Sequence, residues 1–334
     1  LRRQWVWAGA AAAALIVLAT AVRPGLWSTD SEDLPPAQAA HETPSAQTVQ
    51  DVVGDEATAD PCALLDTEAL SAYGETRRDA DRGGFHRCGV LIGDGNDEVE
   101  VDVALHATHG ASATGQSETV GAIDIIRNPD EHESCHRQLV LPGGNHVIVV
   151  TAAQEPGGGA DRCAIADTAV EGALAAMAAG QIPRRDVKID FEAESLYYVD
   201  ACDLLDAETL EPFPGIDSAN PEADYANWGC QWGSTTNGNQ LMVYFDRDDP
   251  PGTDPDQQIE VGGRTAFIEG ERWDAGSCLV SVVHDEYAGR DPYGDAVAEY
   301  VRVIVIGEYG EPMDELCDLA AALAQPVAMA LPHA

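Results

Sequence analysis

Eight cysteines at positions 62, 88, 135 and 163, then 202, 230, 278 and 317, constrain this chain most, because spacings of 26, 47 and 28 residues are followed by 28, 48 and 39. The chain is a tandem duplication. Asp60-Pro61-Cys62-Ala63-Leu64-Leu65-Asp66-Thr67-Glu68-Ala69-Leu70 recurs as Asp200-Ala201-Cys202-Asp203-Leu204-Leu205-Asp206-Ala207-Glu208-Thr209-Leu210, with seven of the eleven positions identical. An even cysteine count in an exported chain reads as disulfides, and no C-x-x-C spacing supports reduced zinc ligands. If each repeat closes its own four, three pairings are open per repeat. First to second and third to fourth is favoured, since it ties an opening helix to the first strand and a middle strand to a closing helix. Each such loop contributes about 3–4 kcal/mol.

The N-terminus bears on the compartment. Residues 5–22 form an apolar run between Arg2-Arg3 and Arg23-Pro24, long enough to cross a bilayer as a helix with the paired arginines inside. Ala19-Thr20-Ala21 also offers a small-x-small cleavage pattern, so anchor and cleaved signal both stand. All 58 acidic side chains and 15 of the 18 basic ones follow position 23, leaving that part at −43. Such charge excludes nucleic acid as a partner and keeps an exported body soluble. Leu1 in place of Met is consistent with an alternative start codon or a missing upstream portion. Residues 24–58 are rich in Pro, Ala, Ser, Thr and acidic side chains, the composition of a disordered stalk.

Hydrophobic periodicity repeats with the cysteines. Leu64, Leu65, Ala69 and Leu70 give the opening helix an apolar face, and Val99, Val101, Val103 and Leu105 alternate with Glu98, Glu100, Asp102 and Ala104 as in a half-buried strand. Strands are predicted near 119–126, 135–141 and 146–152, with Pro142-Gly143-Gly144-Asn145 as a hairpin turn. A closing helix over about 160–179 aligns Cys163, Val170, Leu174 and Met177 before Gly180 and Pro183. The second repeat copies the order, with a helix from 202, strands near 228–233, 240–246, 259–268, 278–284 and 299–306, and a helix over about 312–325 between Pro312 and Pro326. Its extra residues fall mainly in a loop at 285–297. The fold class is α+β: two tandem α/β sandwich domains, each a helix, an antiparallel β-meander and a helix with two disulfides, after an N-terminal transmembrane or signal helix.

The expected organisation is 1–23 anchor or signal peptide, 24–58 stalk, 59–183 first four-cysteine domain, 184–198 linker, 199–326 second four-cysteine domain and 327–334 C-terminal tail. The linker is short, so the two domains should touch.

At Asp60-Pro61-Cys62-Ala63-Leu64-Leu65, within the four-cysteine frame, the sequence resembles an actinobacterial family of exported, mostly lipid-anchored envelope proteins of unknown function. Its domains open with Asp-Pro-Cys-x-Leu-Leu and carry two disulfides. The likeness covers residues 59–180 and, more weakly, 199–326. It implies an α/β sandwich, a Gram-positive high-GC source and no known catalytic residues. Family members usually attach through a lipidated cysteine just after the signal; here the first cysteine is Cys62, and a protein anchor takes that place.

Four features invite chemistry. His132-Glu133-Ser134-Cys135-His136 is a literal H-E-x-x-H, which on a helix holds zinc between two imidazoles with Glu as base, and Glu155 is a possible third ligand. The stretch lies between Pro129 and Pro142, lacks an apolar helical stripe and contains Cys135, so a loop running into a strand is the better reading. Six of the nine histidines (His86, His106, His109, His132, His136, His146) lie in the first repeat, which suggests a pH-sensing or metal-capturing surface or, more simply, scattered exposed imidazoles. The run 246–256 is acidic, but Gly252 and Gln257 miss the calcium-loop positions, leaving an acidic loop. Trp228, Trp232 and Trp273, with Tyr225, form either an aromatic binding platform or core.

The expected function is that of a non-enzymatic, cofactor-free envelope protein. It sits in the cell membrane through one N-terminal helix, or is secreted, and its extracytoplasmic body binds an unknown ligand or protein. The alternatives are a zinc-dependent hydrolase centred on His132, Glu133 and His136, and the exported sensor domain of a longer receptor.

Overall fold

The computed structural model describes residues 48–333 except 108–114, 132, 212, 251–256, 272–275 and 308–310, so the expected N-terminal helix and most of the stalk lie outside the described residues. A short helix α1 (Val49–Val52) leads to a 3₁₀ turn at Pro61–Leu64, whose start is capped by Asp60 accepting from the Cys62 amide, and to α2 (Thr67–Leu70), capped by Asp66. Asp200 caps the matching turn Ala201–Leu204 in the second repeat, which explains why these aspartates recur with their cysteines.

The first sheet contains β1 (Thr76–Asp79), β2 (Arg87–Ile92), β3 (Val99–Ala107), β4 (Gln116–Val120), β5 (Ile123–Arg127), β6 (Ser134–Val140) and β7 (His146–Gln154). They are antiparallel, in the order β1-β2-β3-β7-β6-β5-β4. α3 (Arg162–Ala178) lies against β6 and β7 and buries Ile165, Ala166, Ala169, Val170, Ala173 and Met177. After α4 (Val187–Asp190), the second sheet contains β8 (Glu222–Ala223), β9 (Gly229–Gly233), β10 (Gln240–Asp248), β11 (Gln258–Val261), β12 (Arg264–Gly270), β13 (Ser277–Arg290) and β14 (Ala296–Ile306), and α5 (Met313–Ala330) packs on β13 and β14. Its order, β11-β12-β13-β14-β10-β9-β8, repeats the first.

The architecture is therefore α+β with two antiparallel sheets and four disulfides, but neither sheet is the simple meander expected from sequence order. Three strands and then four form separate antiparallel runs, joined where β3 meets β7 and β10 meets β14. These joining strands carry alternating buried residues, such as Val101, Val103 and Leu105 opposite Ala152, Val150 and Ile148.

Disulfides join Cys62 to Cys88, Cys135 to Cys163, Cys202 to Cys230 and Cys278 to Cys317. The duplication holds at the level of register. Cys88 faces Val103 as Cys230 faces Val243, and Cys135 faces Ala152 as Cys278 faces Val305.

Four expectations need correction. Residues 48–58 are not stalk: Val52 and Val53 are buried, Arg184 donates to the Val53 and Asp55 carbonyls, and the Ala226 amide donates to Glu56. The valines at 49, 52 and 53 supply apolar surface that the average composition of 24–58 conceals. Pro326 does not end the last helix, which runs to Ala330; Val327, Ala328 and Leu331 are buried while Met329 is exposed, so one face of the tail joins the core. The extra residues of repeat two lengthen the β13–β14 hairpin instead of forming a loop, and the Tyr293 hydroxyl near its tip donates to Glu98 of repeat one at 2.6 Å. The segment 184–198 is more than a linker, because Leu196 and Tyr197 are buried and the Leu196 amide donates to buried Glu299 at 2.8 Å.

One hydrophobic core runs through both repeats, from Val52 to Leu331. At its seam Phe85, fully buried, stands edge-on to Phe191 (5.3 Å) and Tyr197 (5.7 Å) and tilted against Trp228 (5.5 Å). Truncating such a ring costs about 3–5 kcal/mol. Phe85→Ala is expected to lower the unfolding free energy by that amount in a urea titration while leaving a single transition. A loss below about 1 kcal/mol would contradict the packing.

Candidate functional site

A cleft of about 680 Å³ opens where the two repeats meet. The first repeat contributes the loop Gly83-Gly84, His86 and Arg87, together with His106 and Ala107 from the end of β3. From the second come Asp224, Tyr225 and Trp228 before β9, and Met242, Tyr244 and Asp246 on β10. Local chemistry fixes both walls. β10 buries Leu241, Val243, Phe245 and Arg247 on one face, which turns Met242, Tyr244 and Asp246 to the other. Gly84 has no room for a side chain, since an added Cβ would lie 2.4 Å from the His86 ring, and Gly83 adopts φ +78°. Between the lining residues Tyr225 and Trp228, Ala226 (φ 52°) and Asn227 (φ 60°) hold left-handed conformations, rare for alanine, with the Ala226 amide bonded to Glu56 at 2.8 Å.

His86 and His106 sit with ring centroids 5.0 Å apart. Burial, then the neighbouring His106 and the guanidiniums of Arg247, Arg87 and Arg185, holds His86 down to about 3. His106 is also lowered by burial, against the pull of Asp224. Both imidazoles are thus neutral at pH 7, each offering one donor and one acceptor. Burial raises Asp246 despite Arg302, whose Nη2 lies 3.3 Å from it. Among the described lining residues there is no serine, threonine, lysine or free cysteine, Cys230 being held in its disulfide. The arrangement offers a guest two neutral imidazoles, the carboxylates of Asp224 and Asp246, and aromatic or apolar walls.

The residues singled out in the sequence fall in different places. His132, His109 and Trp273 lie outside the described residues. Within the H-E-x-x-H segment, β6 begins at Ser134, so Ser134, Cys135 and His136 are strand, and alternation sends Cys135 to the buried face and His136 to the other. His136 is engaged by Thr151 Oγ1 at 3.0 Å and Ser134 Oγ at 2.9 Å, while Glu133 and Glu155 are exposed. The helix that a zinc site of this motif requires is therefore missing there. Among the described residues, the group whose ligand atoms approach one another is Asp130, Cys135 and Cys163, and both thiols are consumed by a disulfide. Among the described histidines, His146 pairs with Glu56 at 2.6 Å, whereas His86 and His106 come together at the cleft. Trp232 is core; Trp228 is buried, donates its indole N–H to the Tyr197 carbonyl at 3.0 Å and lines the cleft. Asp246 and Asp248 belong to β10, where both approach Arg302, and are not part of an acidic loop.

Sequence reasoning missed Met242, Tyr244, Asp224 and Arg247. Only Arg247 left a signal, a charged residue in the inward phase of an apolar alternation. No family model and no curated protein matches the chain. Among solved structures, the di-domain ARO/CYC StfQ from the steffimycin biosynthetic pathway aligns over 82% of this chain and 96% of that chain at 11% identity, with a TM-score of 0.18, a likeness too slight to carry an argument.

The depressed His86 pKa makes a signed prediction. Below the ordinary histidine value of 6.5 the unfolded chain binds a proton that the folded chain refuses down to about 3, so stability should fall as pH drops through that window. His106 and His284, also lowered by burial, act in the same direction. In an NMR titration His86 should stay neutral at pH 5; half-protonation near 6.5 would contradict its burial.

Proposed function

We propose that the chain is a non-enzymatic, extracytoplasmic binding module of the cell envelope, held to the membrane by its N-terminal segment, which seats a small amphipathic ligand between its repeats. The observation that carries this reading is that one cleft of about 680 Å³ draws its walls from both halves of the duplication. That volume falls within the usual range for small-molecule sites. Four disulfides fit an oxidising compartment. Asp224 and Asp246, in a chain of net charge −40, favour a neutral or cationic guest, with Trp228 and Tyr225 giving it apolar surface. Two neutral imidazoles orient it by hydrogen bonds.

The test is a melting-temperature screen of the purified chain against neutral and cationic amphipathic compounds, with each hit assayed for chemical change. A hit present at a hundredfold over its Kd stabilises by about 2.7 kcal/mol. It should be recovered intact, and its effect should vanish in Met242→Arg, which fills the cleft from the outward face of β10. Turnover of the compound, or an unchanged response in Met242→Arg, would overturn the reading.

A further inference from the structure

A second pocket of about 270 Å³ also lies at the seam of the two repeats, bordered by the Cys62 end of the first disulfide. Four of the chain's 17 arginines line it: Arg78, Arg87, Arg185 and Arg247. This is a dense convergence of positive charge in a chain with 58 acidic side chains.

Of these four, Arg87 alone has a close carboxylate partner among the described residues. Arg87 is matched by Glu100 and Asp102, each 2.6 Å away. Arg247 is only 6% exposed, yet its nearest carboxylate is Asp81 at 3.9 Å, and its Nε donates to the Gly83 carbonyl. Its guanidinium otherwise lies over the rings of Phe85 (5.0 Å) and Phe191 (5.9 Å). Arg185 donates through Nη2 to the Phe85 carbonyl at 2.9 Å, and its buried Nε has no partner. Among the described residues neither Arg185 nor Arg78 makes an ion pair.

The three aspartates of the pocket are partly occupied or weakened. Asp60 caps the Cys62 amide at 2.9 Å, Asp81 accepts from the Arg290 amide at 3.0 Å, and burial raises Asp190. Burial outweighs the neighbouring acids at Arg247, lowering it to about 10, and lowers Arg185 as well, while both stay charged at neutral pH.

We propose that this pocket is a binding site for a small oxyanion, a carboxylate or phosphate group, held by Arg185, Arg247 and Arg78. The guanidinium fork suits either group, since both accept two parallel N–H bonds. The pocket's size admits a free anion or the charged head of a larger molecule.

Isothermal titration of the full chain with inorganic phosphate, and separately with acetate, in chloride at about 0.15 M ionic strength tests it. Saturable one-to-one binding of at least one anion is expected, weakened about tenfold or more in Arg78→Gln and in Arg185→Gln, as loss of a charge-assisted bond requires. Phosphate alone would identify a phosphoryl group, acetate alone a carboxylate, and both a general oxyanion site. Arg78 is exposed and makes no ion pair among the described residues, so Arg78→Gln should fold normally even if Arg185→Gln loosens the seam. Absence of saturable binding by both anions, or undiminished binding in Arg78→Gln, would overturn the proposal.

Discussion

The structure turns on the insertion of Phe85 from a loop of the first repeat into an aromatic recess made by the connecting segment and the second repeat. Phe191 and Tyr197 stack at 4.2 Å, Trp228 closes the side, and Arg247 covers the Phe85 ring. The loop is held by a reciprocal pair, in which the Gly83 amide donates to the Arg247 carbonyl at 2.7 Å and Arg247 Nε donates back to the Gly83 carbonyl at 3.1 Å. Each aromatic contact adds about 0.5–1.5 kcal/mol beyond its burial, so the cluster contributes on the scale of a domain's net stability. The large cleft and the arginine-lined pocket share Arg87 and both include residues bonded to this loop.

A seam of this kind needs firm parts on both sides. Each repeat supplies a sheet with one helix on its face and two disulfides placed at equivalent registers, one fixing the opening turn to the second strand of its sheet and one fixing a late strand to the helix. Loop closures of 26 to 39 residues restrict the unfolded chain by about 3–4 kcal/mol each. The repeats diverge where they meet. The hairpin β13–β14 extends to Glu98, and residues 48–58 reach both halves through Glu56, bonded at once to His146 and Ala226.

Much of this was legible in the residues. The cysteine frame indicated duplication and disulfide pairing, and the alternation at 99–105 located a central strand. The sheet order was not legible, because pairing of Val103 with Val150 and Val243 with Val303 depends on contacts far apart in sequence, which local periodicity does not encode. Pro326 misled for a related reason: burial of Val327 and Ala328 holds a helix that local propensity would end. At the cleft, Trp228 and Tyr225 stood out by type and His86 and His106 by number, but their convergence arises from tertiary docking alone. Arg247 was visible as a charge in an apolar phase, and its meaning emerges only beside Phe85.

Native-state hydrogen exchange at the seam tests this account most directly. The amides of Gly83, Leu196 and Ala226 bond to Arg247, Glu299 and Glu56, joining the first repeat, the connecting segment and the second repeat around the seam. If the seam is integral to one cooperative body, they open with the same free energy as the central strands β7 and β14, within about 1 kcal/mol. Opening of these three amides several kcal/mol more easily, with both sheets still protected, would show two separately stable halves in loose contact and would contradict a built binding cleft between them.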